Sequence, residues 1–119
     1  MKSAYMNNKD LFLLNVIINH YEEVKMALSE LKSIEDFLNN VYIRKSIILD
    51  IIQIGENVNK LSDEIKNKIE EKNLRGVISF RNFLVHQYGN IDNYVIWDTA
   101  NTALPVLIKE LEIIKKSLI

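Results

Sequence analysis

The sequence predicts an all-α protein, an up-and-down bundle of four main helices joined by short ones, and three observations predict it. Turn punctuation is sparse, with three Gly and one Pro in 119 residues, which suits a few long helices better than many short strands. Apolar residues recur at three- and four-residue steps rather than in alternation. The most β-branched stretch, residues 41–60, is longer than an ordinary strand. Residues 1–119 are read as one domain, long enough to bury a core.

Composition narrows the function classes. Apolar residues make up 48% and charged residues 26%, the balance of an ordinary globular chain rather than a disordered one. There is no cysteine, so a disulfide framework and a thiolate metal site are excluded and a cytoplasmic setting is expected. No basic-then-apolar leader pattern is present, and charges interrupt every apolar run before membrane-spanning length. The net charge of -1 argues against a broad basic coat for nucleic acid but leaves room for a local site. Residues 60–81 carry a net +2 and residues 1–40 a net -2. Mixed solvated helix faces account for this, and a weak phosphate-attracting rim is the functional alternative.

Taken in order, Leu11, Leu14, Ile18, Tyr21, Val24, Ala27, Leu28 and Leu31 mark an amphipathic helix over residues 8–31, starting near Asn8 or Asp10. His20 lies beside Tyr21-Glu22-Glu23 and reads as a surface residue, since zinc needs three or four converging ligands. Ser33-Ile34-Glu35-Asp36 resembles a capping box for a short turn that packs Phe37 and Leu38 inward. Asn39-Asn40 breaks the pattern and can cap a buried helix over residues 41–60, in which Gly55 is tolerated where another backbone comes close. Glu56 follows, an acid in apolar surroundings: it reaches solvent, pairs with a lysine, or holds an Arg or His of a later helix.

Ser62-Asp63-Glu64 caps a short charged helix to about Glu71. A helix from Leu74 to about Tyr88 stops at Gly89-Asn90. Asp92 or Asn93 caps a last helix from about Tyr94 to Leu118, which Pro105 should kink. Trp97 is read as a core or interface anchor.

The segment RNFLVHQY, residues 81–88, stands apart. It places Arg81, His86 and Tyr88 in an apolar helix, with Asn82 beside the arginine. Buried charge is costly unless paired, so such a helix needs a cleft or a second subunit. At about 100° per residue, Arg81 and His86 lie roughly 140° apart with Asn82 between them and Tyr88 just beyond Arg81. Phe80, Phe83, Leu84 and Val77 form the opposite half, suited to the monomer's own core. The first half then fits a two-fold homodimer, which would bring two copies of Arg81 and His86 to one groove. Such a groove has the parts for metal-independent RNA cleavage: imidazoles as acid and base, a guanidinium for phosphate charge, and Asn82 to orient the imidazole or donate to phosphate. No Gly-rich phosphate loop, metal cluster or nucleophilic triad is visible, so neither cofactor nor metal ligand is assigned.

These residues resemble the R-x4-H-x-Y signature of the HEPN superfamily, and specifically HepT-like toxins. The resemblance extends to Ile54-Gly55-Glu56, to Asn82, to the acidic helix start after the motif and to Leu104-Pro105-x-Leu107, in order over most of the chain. One departure is Leu74, where the family often has Trp. The resemblance implies an α-helical homodimeric ribonuclease toxin with Arg81 and His86 as catalytic pair. It also implies a minimal nucleotidyltransferase (MNT) antitoxin that silences the toxin by transferring AMP from ATP to Tyr88. The alternative is a non-catalytic module that binds a nucleotide or serves as the nucleotidyltransferase's partner subunit.

Overall fold

The computed structural model describes residues 4–87 and 90–119, with side chains from residue 8 onward. Every described element is helical. In order they are α1 (Ala4–Ser29), α2 (Ile34–Asn39), α3 (Val41–Asn59), α4 (Asp63–Lys66), α5 (Glu71–His86), α6 (Asn93–Asp98), a π-helical segment (Thr99–Ala103) and α7 (Leu104–Ser117). Helix α3 packs between α1 and α5, and α7 closes against α1 and α5. The shared core joins Leu14, Ile17 and Val24 of α1 to Ile47, Ile51, Ile54 and Val58 of α3 and to Leu104, Leu107 and Leu111 of α7. Phe37 anchors α2 there, its ring 5.3 Å from that of Trp97, so the tryptophan is the expected core anchor.

Local chemistry sets most boundaries. Ser33, Asn40, Ser62 and Asp92 each accept a backbone N–H at the start of α2, α3, α4 and α6, which satisfies amides that a helix start leaves unpaired. Asp10 is not a helix start. It lies inside α1, is buried, and accepts from the backbone N–H (2.9 Å) and hydroxyl (2.7 Å) of Ser62, tying α1 to the α3–α4 turn. The charged helix after Ser62 ends at Lys66 rather than near Glu71, and α5 begins at Glu71 rather than Leu74. Helix α5 has no side-chain cap of its own. Glu110 of α7 supplies one, accepting from Glu70 N–H at 2.9 Å and from the Asn73 amide, an acid where the helix dipole favours it.

At Pro105 the α-register breaks. The backbone widens into the π turn just before it, and Leu104 N–H donates to Thr99 O, five residues back. The shifted register lets proline, which has no N–H and crowds the preceding turn, sit in the first turn of α7.

Gly55 fixes the spacing of α3 and α5. A Cβ there would lie 2.5 Å from Arg81 Cβ and 3.0 Å from Val77 O, closer than packed atoms tolerate. Gly76, on the exposed side of α5, has nothing within 4 Å of an added Cβ. Gly55→Ala is therefore expected to cost roughly 1–3 kcal/mol through overpacking. Gly76→Ala is expected to gain about 0.5–1 kcal/mol by removing helix-interior glycine entropy. Urea unfolding of the two variants checks the opposite signs.

Candidate functional site

Helix α5 forms because its apolar positions bring Leu84 into the core while Val77, Ile78 and Phe80 pack against its edge. Where it crosses α3 at Gly55, it presents Arg81 to Glu56, one residue along. The Arg81 Nη2 group and Glu56 Oε2 form an ion pair, with the Arg81 side chain 29% exposed. Arg81 Nη1 donates to Asn82 Oδ1 at 2.9 Å. Glu56 thus takes the third of its expected options, holding an arginine of the motif helix, and Asn82 orients the same guanidinium rather than the imidazole. Arg81 Nε is buried with no hydrogen-bond partner among the described residues.

His86 lies in the last turn of α5 and is exposed. The structure therefore brings Arg81, Asn82 and Glu56 into one cluster, with the imidazole five residues on at the helix end. Tyr88 and Gly89, where the modified tyrosine and the glycine stop are expected, lie outside the described residues; α5 itself closes with Gln87 N–H donating to Phe83 O at 2.8 Å.

The apolar half of α5 differs from expectation. Only Leu84 is buried in this helix, and Phe83 is 41% exposed, stacked on Phe80 at 6.3 Å. Phe80 and Phe83 line one shallow apolar cavity with Ile91 and Val95, and Ile91 also borders a cavity against Ile48, Leu49 and Ile52 of α3. Through Ile91, apolar surface continues from Phe83 of the motif helix across to α3. Nearby charge is partly spent within the chain, since Arg75 pairs with Glu71 at 2.6 Å.

A second polar cluster lies on α1 and α3, around a residue read from sequence as surface. His20 is partly buried, and its Nδ1 lies 3.0 Å from Asp50 Oδ1 and 3.6 Å from Glu23 Oε2. Burial pushes the Asp50 carboxyl up to about 6, the facing Glu23 adds to this, and the His20 contact opposes it. Glu23 is lowered, chiefly by its hydrogen bond to Asp50. The available signal was the three-residue step from His20 to Glu23 and the acid Asp50 inside the apolar run of α3.

Helix α5 thus carries R-x4-H and is crossed at the arginine by α3, which carries I-G-E. Residues 14–114 match the model of the family described as Ribonuclease HepT-like, and the chain belongs to that family. Its relatives include "Putative RNase MJ0125" of Methanocaldococcus jannaschii, 34% identical over 71% of this chain and 72% of that protein. "Putative RNase MJ0127" of the same organism is 31% identical over 95% and 93%. "Putative RNase TTE0752" of Caldanaerobacter subterraneus subsp. tengcongensis is 26% identical over 80% and 88%. No solved structure gives a significant match. Among the described residues, no helix is long and apolar enough to cross a membrane.

The Arg81 and Glu56 side chains are 29% and 35% exposed, so solvent screens the pair and its own contribution to stability is small. A double-mutant cycle with Arg81→Ala and Glu56→Ala is expected to give a coupling of about 1 kcal/mol or less, read by denaturant unfolding.

Proposed function

We propose that the chain is a metal-independent endoribonuclease toxin that works as a two-fold homodimer, with Arg81 and His86 of each copy facing a shared groove. The observation that carries this reading is the state of Arg81: a permanent cation on a motif helix, oriented by Glu56 and Asn82 and still partly exposed. A guanidinium fixed in this way is suited to charge building on a pentacovalent phosphate. The exposed apolar side chains Phe83, Val95 and Leu49, beside cavities that share Ile91, support a partner chain next to the motif helix. Contiguous exposed apolar area marks an interface, and a two-fold axis uses the same patch twice.

In the reaction proposed, the 2′-oxygen attacks phosphorus as one His86 imidazole accepts its proton. The bond to the 5′-oxygen breaks as the other copy's imidazole, in its protonated form, gives that oxygen a proton. Imidazole suits both tasks because it titrates near neutral pH. The products are a 2′,3′-cyclic phosphate and a 5′-hydroxyl.

The family resemblance supplies the regulation. An MNT-type antitoxin transfers AMP from ATP to the Tyr88 hydroxyl, with pyrophosphate leaving. Added phosphate charge two residues from His86 would block the groove and repel RNA. One observation favours the second reading, a non-catalytic nucleotide-binding or partner subunit: Glu56 already neutralises Arg81 in the free chain. Catalysis then requires that RNA phosphate compete with Glu56 for the guanidinium.

Arg81→Ala and His86→Ala are each expected to keep a folded dimer by sedimentation while cleaving a fluorescent RNA at least ~100-fold more slowly. Dimers that cleave at the wild-type rate would move the chain to the second reading. Co-expression with a neighbouring nucleotidyltransferase should raise the intact mass by AMP units that Tyr88→Phe abolishes. An unmodified wild-type chain would remove the antitoxin from the account.

A further inference from the structure

His20 and Glu23 stand one turn apart on α1, and Asp50 reaches them from α3. The relevant donor atoms of all three side chains lie within 4.8 Å of one another. The cluster is separate from the motif: Asp50 precedes Glu56 by six residues, which on an α-helix is about 9 Å along the axis and roughly 120° round it. Nothing in the proposed cleavage uses it.

We propose that His20, Glu23 and Asp50 form a binding site for a divalent metal ion of the zinc class. Ligands held about 2.0–2.1 Å from a tetrahedral zinc stand roughly 3.3 Å apart. The two separations from His20 Nδ1, 3.0 Å to Asp50 and 3.6 Å to Glu23, lie on either side of that value.

The hydrogen-bonding inventory favours a cation here. His20 Nδ1 offers one proton or one lone pair to two carboxyl groups, and the hydrogen bond between Glu23 and Asp50 needs a further proton, which a cation would displace. Asp50 is only 4% exposed, and a carboxylate out of water is costly unless it is paired or coordinates metal. A dication at the centre serves all three groups together.

The donor set selects the ion. One imidazole nitrogen with two carboxylate oxygens and no sulfur suits zinc and its first-row neighbours, whereas magnesium and calcium prefer oxygen alone. Glu23 is 61% exposed, which leaves an entry path and room for a solvent ligand in the fourth position. Because two ligands come from α1 and the third from α3, a bound ion clamps the two helices together.

The test is calorimetric titration of the tag-free full-length chain, stripped with chelator, with zinc chloride, alongside its thermal unfolding. One ion per chain is expected, with an unfolding midpoint several degrees higher in zinc. His20→Gln and Glu23→Gln should each weaken binding at least ~10-fold, no less than loss of a residue that merely supports a metal ligand. His86→Gln, which removes the second of the chain's two histidines, should leave binding unchanged. The exposure of Glu23 makes its variant informative even if His20→Gln folds poorly. Absence of saturable binding overturns the proposal, as does binding that survives Glu23→Gln or is lost in His86→Gln.

Discussion

The close approach of α5 to α3 at Gly55 is the constraint on which the rest depends. Only a residue without a Cβ lets Arg81 lie against the α3 backbone, with 2.5 Å between its Cβ and the place where another side chain would begin. That approach puts the guanidinium beside Glu56, the next residue of α3. Asn82 then secures the second nitrogen. Backbone packing and electrostatics therefore meet at one crossing, where moving the helices apart would release the cation.

This placement has a cost. The Nε of Arg81 is buried without a partner among the described residues, and an unmet buried donor is destabilising. Glu56 also offsets the charge that a phosphate would seek. Both features suit an arginine kept for position rather than for stability, and conflicts of this kind between local chemistry and packing are expected at functional sites. The apolar surface beside the motif is consistent with the same account, since Phe83 and Val85 contribute little to the core of a single chain.

Much of this was legible in the sequence because it is written in local chemistry. Helix periodicity marked the main helices, Ser33, Ser62 and the pairs Asn39-Asn40 and Asp92-Asn93 marked four starts, and Gly55 signalled a close backbone approach. What escaped was long-range. The capping of α5 by Glu110 and the tie between Asp10 and Ser62 join residues 40 and 52 positions apart, which no window of sequence reveals. His20 was misjudged for the same reason, because its principal partner, Asp50, is thirty residues away. Pro105 correctly signalled a broken α-register, which takes the form of the bond shift from Leu104 to Thr99. Phe83 was placed inside because hydrophobicity alone does not tell a core face from an exposed one, and it is 41% exposed.

The central claim is that imidazole and guanidinium groups, not a metal ion, carry RNA cleavage. The most direct measurement is the chemistry of the ends that the purified protein leaves on a defined RNA in excess chelator. The account predicts undiminished cleavage giving 5′-hydroxyl and 2′,3′-cyclic phosphate ends, because the 2′-oxygen is the nucleophile. Ends bearing 5′-phosphate and 3′-hydroxyl would contradict it, since a metal-activated water would then be doing the chemistry.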